Sequence, residues 1–232
     1  NYNGFTGMSS VQSGHFVVDN SGLYISDTGW SGNPIKAFVE KRSLTDFSPI
    51  WRIDSNCSSG CAFHKGIIAE GYLFSVGYES TPLVGGGRWM VQKTKTDGVV
   101  SWTKYSDDSI NNFKAYSAND ISYFNGALYI LGYGTNPSFT TYIPRLEKWN
   151  LDGVSLFKKN GSAAQSSWDF RVSIDSSGIY AGGNVMGWHM TGASFLDKYE
   201  ITPCIPNCGT VTDTRDPPAA VHATVQVGTR CG

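Results

Sequence analysis

Two short patterns recur along the chain at matched intervals, and together they restrict its fold more than any bulk property does. One is a glycine opening a β-rich run: Gly22-Leu23-Tyr24-Ile25, Gly71-Tyr72-Leu73-Phe74, Gly126-Ala127-Leu128-Tyr129 and Gly178-Ile179-Tyr180-Ala181, spaced by 49, 55 and 52 residues. The other is an apolar residue, an acid or amide, then lysine: Val39-Glu40-Lys41, Val91-Gln92-Lys93, Leu146-Glu147-Lys148 and Leu196-Asp197-Lys198, spaced by 52, 55 and 50. The two series advance together, so the chain is a tandem array of four units.

A third pattern closes three of the units. Trp51, Trp102 and Phe157 follow the lysines across turns containing Thr45-Asp46, Asp97-Gly98 and Asp152-Gly153. Asp-Gly between β-rich runs marks a hairpin, because glycine takes positive φ without a Cβ clash. A further β-rich run precedes each glycine, at Phe16-Val17-Val18, Gly66-Ile67-Ile68, Ile121-Ser122-Tyr123 and Val172-Ser173-Ile174. Each unit therefore reads as four antiparallel strands, A to D, and no stretch has a helical period. Repeats of this size and strand number are the sequence form of propeller blades. The expected fold is all-β, a β-propeller with four blades visible, either a small complete ring or part of a larger one. The blades span about 15–55, 64–106, 119–161 and 171–202, within a propeller domain at 1–202 followed by a Cys/Pro-containing extension at 203–232. In its Glu-Lys and Asp-Gly-x-x-x-Trp elements the chain resembles secreted microbial and archaeal β-propeller repeat proteins. That resemblance implies a fold and little about function. The WD40 signature is absent, and Ser26-Asp27-Thr28-Gly29-Trp30 has the wrong spacing for the aspartate box of sialidase-like propellers.

The fourth unit breaks the pattern after Lys198, where Ile201-Thr202-Pro203-Cys204-Ile205-Pro206 replaces the turn and the aromatic. Two segments compete for its outer strand. The N-terminal residues 1–12, with Tyr2-Asn3-Gly4-Phe5, lie at the right offset from the first blade. The tail residues Val221, Ala223, Val225 and Val227 alternate with polar ones as a strand should. Residues 213–218 read as a linker.

Charged residues make up only 16% of the chain and the formal net charge is −1. With no Lys/Arg cluster, nothing marks a nucleic-acid or anionic-membrane partner. No apolar run is long enough for a membrane span. The five cysteines, Cys57, Cys61, Cys204, Cys208 and Cys231, suit an oxidising compartment, and the expected location is extracellular. Asn56 and Asn160 head glycosylation sequons.

Lysine at 41, 93, 148 and 198 beside Glu40, Gln92, Glu147 and Asp197 resembles a row of chemistry. A catalytic group is needed once, however, so a feature present in every blade belongs to the scaffold, as in a cross-strand pair. The seventh residue before each repeated glycine behaves differently: His15, His64, Asn119 and Arg171 are polar and varied. If strand A lines the channel, these four ring its mouth. The B–C loops share that end and carry aromatic and hydroxyl groups, among them Trp30, Tyr78, Tyr133, Trp188 and His189. Rings beside hydroxyls and amides suit sugars, whose apolar faces stack. A short-loop disulfide accounts for Cys57 and Cys61. The competing reading, half a metal site with His64 and His15, lacks a fourth ligand, and no metal or cofactor is expected. No Ser-His-Asp arrangement, paired loop carboxylates or phosphate-binding glycine loop is present.

The expected function is a non-catalytic module binding carbohydrate or a surface protein. Two alternatives stand beside it: an assembly subunit whose tail pairs with a neighbour, and a propeller hydrolase or lyase.

Overall fold

The computed structural model describes residues 10–30, 35–57, 59–81, 86–106, 114–136, 138, 140–161, 166–176, 178–186, 192–202, 210–215 and 224–227. These contain strands and turns and no helix. The first sheet is β1 (Ser10–Asp19), β2 (Gly22–Trp30), β3 (Lys36–Arg42) and β4 (Pro49–Asp54), in that order. The second is β5 (Cys61–Ala69), β6 (Tyr72–Thr81), β7 (Gly86–Lys95) and β8 (Val100–Tyr105). The third is β9 (Lys114–Phe124), β10 (Ala127–Thr135), β11 (Tyr142–Asn150) and β12 (Ser155–Asn160). The fourth has five strands: β13 (Ser166–Asp175), β14 (Gly178–Met186), β15 (Gly192–Thr202), β16 (Thr210–Arg215) and β17 (Thr224–Val227). Every neighbouring pair is antiparallel, so each sheet is one up-and-down blade. The first strands pack in sequence, β1 on β5, β5 on β9 and β9 on β13, which puts strand A innermost.

Tail residues supply the outer strand of blade 4. β16 pairs with β15, and β17, from within the alternating 221–227 run, adds a fifth strand. Of the competing N-terminal segment, residues 10–12 belong to β1, and Tyr2-Asn3-Gly4-Phe5 lie outside the described residues. The expected linker at 213–218 begins inside β16, because its first three residues complete that strand's pairing with β15.

The core is divided into three inter-blade layers. Tyr24, Ala37 and Val39 of blade 1 meet Phe63, Leu73 and Met90 of blade 2. Phe74, Trp89 and Val91 meet Ile121, Leu128 and Ile130 of blade 3. Tyr129, Leu131 and Leu146 meet Phe170, Val172 and Ile179 of blade 4. The sheets of blades 2 and 3 thus bury both faces, which suits strands with mixed rather than strictly alternating burial.

The repeated residues hold these layers together. Lys41 Nζ crosses to the Thr96 carbonyl of blade 2 at 3.2 Å, and Lys93 Nζ crosses to the Leu151 carbonyl of blade 3 at 3.0 Å. The ammonium of Lys93 also lies 4.0 Å from the centre of the Tyr72 ring. Beside Lys41 and Lys93 the strand D aromatic rests on the next blade's Asp-Gly turn. A Cβ on Gly98, whose φ is 97°, would stand 3.1 Å from Trp51, and one on Gly153 would stand 3.3 Å from Trp102. The acid or amide before the lysine points the other way and pairs across to strand D. Glu40 reaches Arg52 at 3.6 Å, Thr103 donates to Gln92 at 3.4 Å, and Glu147 lies opposite Lys158. Glu147 is fully buried with Arg145 Nη1 at 3.3 Å and Trp149 Nε1 donating at 2.7 Å. Burial pushes its carboxyl up, while Lys158, Trp149 and Arg145 pull it back.

Candidate functional site

Strand A begins, and strand B ends, at one rim of the blades: Ser10 pairs with Trp30, Cys61 with Glu79 and Lys114 with Thr135. The B–C loops therefore open at the same end as the strand A entries. Near that end all four inner strands carry a bulge, between Gln12 and His15, between Phe63 and Lys65, at Asn119, and between Trp168 and Arg171. A bulge re-aims the side chains beside it and commonly sits next to functional groups.

The hairpin loops decide which side chains are equivalent. In blades 2 and 3 the repeated glycine is the second loop residue: Glu70-Gly71 has φ of 50° and 75°, and Asn125-Gly126 has φ of 47° and 74°. These are two-residue loops with both φ positive, as a right-twisted hairpin requires. In blades 1 and 4 the glycine is instead the first residue of strand B, pairing with Asp19 and Asp175. Gly22 and Gly178 thus correspond to Tyr72 and Ala127, which pair with Ala69 and Phe124. Counting seven back from these residues gives His15, Lys65, Asp120 and Arg171. By register, then, the residues equivalent to His15 and Arg171 are Lys65 and Asp120, the immediate successors of the expected His64 and Asn119, and a one-residue step along a strand moves to the opposite face.

The register-equivalent quartet is a connected set. Lys65 Nζ forms an ion pair with Asp120 Oδ1. The buried Asp120 carboxylate also accepts from Ile121 N at 2.9 Å and, across to blade 4, from Val172 N at 2.6 Å. His15 Nδ1 accepts from Gly66 N of blade 2 at 3.4 Å. Partial burial lowers the His15 pKa, the charges of Lys65 and Arg171 lower it further, and Asp120 opposes them. One side chain from each inner strand thus shares one electrostatic environment. Arg171 is exposed, with Nη1 donating to the Phe170 carbonyl at 2.8 Å. The acid is committed to a lysine and two amides, and the set offers hydrogen-bond donors more readily than a general base.

Outward from the quartet runs a row of rings. His64 stacks on Tyr78 at 5.6 Å, Tyr78 on Tyr116 at 6.5 Å, Tyr116 on Tyr133 at 5.4 Å and Tyr133 on Phe170 at 5.7 Å, with interplanar angles of 20–30°. Tyr142 tilts against Tyr133 at 5.5 Å. Tyr133 and Phe170 are buried, whereas His64, Tyr78 and Tyr116 are half-buried and keep part of their surface in solvent. Burial holds the His64 imidazole neutral, its pKa lowered to about 4, and pushes the phenols of Tyr78 and Tyr133 up. The adjoining blade 3 loop is ordered by Asn136, whose Oδ1 accepts from Thr140 N at 2.8 Å and whose Nδ2 donates to Ser138 and Thr140.

Of the expected residues, Tyr78 and Tyr133 are in the row and His64 starts it. Asn119 forms the bulge beside Asp120, and its buried Oδ1 has no hydrogen-bond partner among the described residues. Trp30 ends β2, with its side chain outside the described residues, as are Trp188 and His189. Tyr116 and Lys65 lacked any repeat signal, and only the loop geometry exposes the latter. Cys57 and Cys61 form a disulfide, which takes both sulfurs from the competing metal reading. Among the described residues no group of three or more His, Cys, Asp or Glu is placed to hold a metal. Cys204, Cys208 and Cys231 lie outside the described residues. Asn56 is exposed, and Asn160 Oδ1 accepts from the buried Arg145 at 2.8 Å.

Blade 1 contributes one further unusual group. At the place held by Gly77 in blade 2 and Gly132 in blade 3 stands Asp27, fully buried. Its Oδ1 accepts from Thr28 N at 2.6 Å, its Oδ2 has no partner among the described residues, and burial raises its pKa to about 6.

No family profile matches the chain, and no curated protein does. Among solved structures, the subtype N10 neuraminidase-like protein of A/little yellow-shouldered bat/Guatemala superposes with a TM-score of 0.53 at 12% identity, over 92% of this chain. This chain spans 66% of that protein's length. A mutant of Cellvibrio cellulosa α-L-arabinanase matches with a TM-score of 0.45 at 10% identity, over 93% of this chain and 73% of its own. The chain has the β-propeller fold, with four blades described and the ring not shown closed among the described residues.

Proposed function

We propose that the chain is an extracellular, non-catalytic propeller module that binds carbohydrate at the channel mouth. The row of His64, Tyr78 and Tyr116, backed by the buried Tyr133, carries this reading: three partly exposed, nearly parallel rings crossing two blades beside a cluster of donors. Sugar faces stack on such rings while their hydroxyls take hydrogen bonds from Lys65 and Arg171. The commitment of Asp120 to structural partners favours binding over hydrolysis, and the Cys57–Cys61 disulfide favours an oxidising location. Glycan-array screening followed by calorimetry tests the reading. Binding by the parent is expected to weaken by about tenfold or more in Tyr78→Ala and in Tyr116→Ala, the scale of a lost ring contact of about 1.5 kcal/mol. A folded protein that binds no glycan refutes the proposal, and turnover of a bound glycan makes the protein an enzyme instead.

A further inference from the structure

Lys65 and Arg88 bring positive charge to the channel end, and each has a carboxylate there. Lys65 is paired with Asp120, and Arg88 Nη2 holds Glu79 at 2.6 Å. Asp120 takes two further donors, from Ile121 N and Val172 N, and Asp27 is fully buried in blade 1. Arg171 differs. Its side chain is exposed, its Nη1 donates to the Phe170 carbonyl at 2.8 Å, and no carboxylate pairs with it among the described residues. A carbonyl accepts one hydrogen bond and cancels no charge, so the guanidinium keeps a planar fork of donors for an anion. The Arg171 charge also acts on His15 of blade 1, so its field spans the mouth.

The rings decide what kind of anion fits. Phe170, whose carbonyl anchors Arg171, is the last ring of the row that begins at His64. The same row offers the half-buried faces of Tyr78 and Tyr116. An inorganic anion would use the cation and leave the rings idle, and a neutral sugar would use the rings and leave the charge idle. A sugar that carries a carboxylate uses both. Rings in file across blades suit successive pyranose rings of an unbranched chain, and a uronate bears its carboxylate on the ring itself.

We propose that the glycan taken at the channel mouth is acidic, an unbranched uronate-containing oligosaccharide, with Arg171 holding a carboxylate while Tyr78 and Tyr116 stack the sugar rings. This rests on the carbohydrate reading above and names its ligand class. The guanidinium offers two parallel N–H donors to the two carboxylate oxygens. Lys65, already matched by Asp120, orients a hydroxyl and does not call for a second anion.

Calorimetry with three probes tests it: an oligogalacturonate, the same oligosaccharide methyl-esterified, and a sulfated oligosaccharide of neutral sugars. The ester keeps every ring and loses the charge. The free acid is expected to bind about tenfold or more tightly than the ester, the scale of one charge-assisted contact. That advantage is expected to shrink as salt rises from about 50 to about 500 mM. Arg171→Gln is expected to erase the difference and leave the ester's affinity unchanged, whereas Tyr116→Ala weakens acid and ester alike. An ester that binds as tightly as the acid, or an Arg171→Gln variant that loses both equally, overturns the acidic ligand and leaves carbohydrate binding in place. So does an acid that fails to bind a protein which takes neutral glycans. A sulfated chain that matches the acid overturns the carboxylate, and failure of every glycan removes both readings.

Discussion

The outer half of each blade and its channel end have different histories in the same repeat. Strands C and D reuse one set of contacts, in which lysine reaches the next blade's turn, an aromatic sits on a glycine and a buried acid or amide pairs across to strand D. The channel end keeps one position and varies its occupant, giving His15, Lys65, Asp120 and Arg171. Repetition marks what every blade needs to pack. Variation at a constant position marks where the blades differ in task.

The largest effect is expected where the scaffold is most deeply buried. Glu147→Ala removes the acceptor of Trp149 Nε1 and leaves Arg145, which is itself fully buried, without its carboxylate. Stranding a buried charge costs about 3–5 kcal/mol. Chemical denaturation should show that loss. A change below about 1 kcal/mol would mean that the repeated acid is not structural and that the division between scaffold and site is misplaced.

Much of this division was legible in the sequence, and the part that was not has an identifiable cause. The paired series of glycines and lysines exposes four blades because every unit needs the same interlocking contacts. The channel quartet was displaced by one residue in two blades because glycine plays two parts, second loop residue in Glu70-Gly71 and Asn125-Gly126, but first strand residue at Gly22 and Gly178. Aligning glycine with glycine is correct for sequence and wrong for register. The fourth blade's outer strand lacks the repeat's mark for a related reason: Thr214 faces Lys198 where the other blades place an aromatic. The aromatic row was half visible, since Tyr78 and Tyr133 lie on the strand B ends that feed the loops, whereas Tyr116 sits on strand A without a counterpart in the repeat.

Asp27 sharpens the comparison through pH. Its folded pKa is about 6 against an ordinary 3.8, so the folded state holds the proton more tightly. Stability from this group is complete below about pH 3.8 and is lost as pH rises through 6, a cost of about 3 kcal/mol at pH 7. His64 has the opposite sign. Its folded pKa is about 4 against 6.5, so its contribution is complete above 6.5 and is lost as pH falls towards 4. The two slopes oppose each other between pH 4 and 6. Asp27→Asn is expected to be more stable than the parent by about 2–3 kcal/mol at pH 7 and no more stable at pH 4. Its own stability should then fall on acidification, with the His64 slope uncovered. Thermal melts of parent and variant across this range check it, and a constant difference at every pH would show that Asp27 does not titrate on folding.

The smallest effect on stability is expected at Arg171, and it tests the comparison most directly. The side chain is exposed, with Nη1 donating to the neighbouring Phe170 carbonyl, so it contributes little packing. Arg171→Ala should change stability by no more than about 0.5 kcal/mol, as for ordinary surface sites. Its charge nevertheless depresses the His15 pKa from the far end of the blade series. Removing it should raise the His15 pKa, measured by NMR titration of the imidazole, and should weaken glycan binding while leaving the melt unchanged. If stability falls as far as it does for a scaffold residue, Arg171 is holding the blades together and the channel end is not a site. If the His15 pKa stays put, the four inner strands do not share one environment, and a ligand would meet separate polar entries rather than a single mouth.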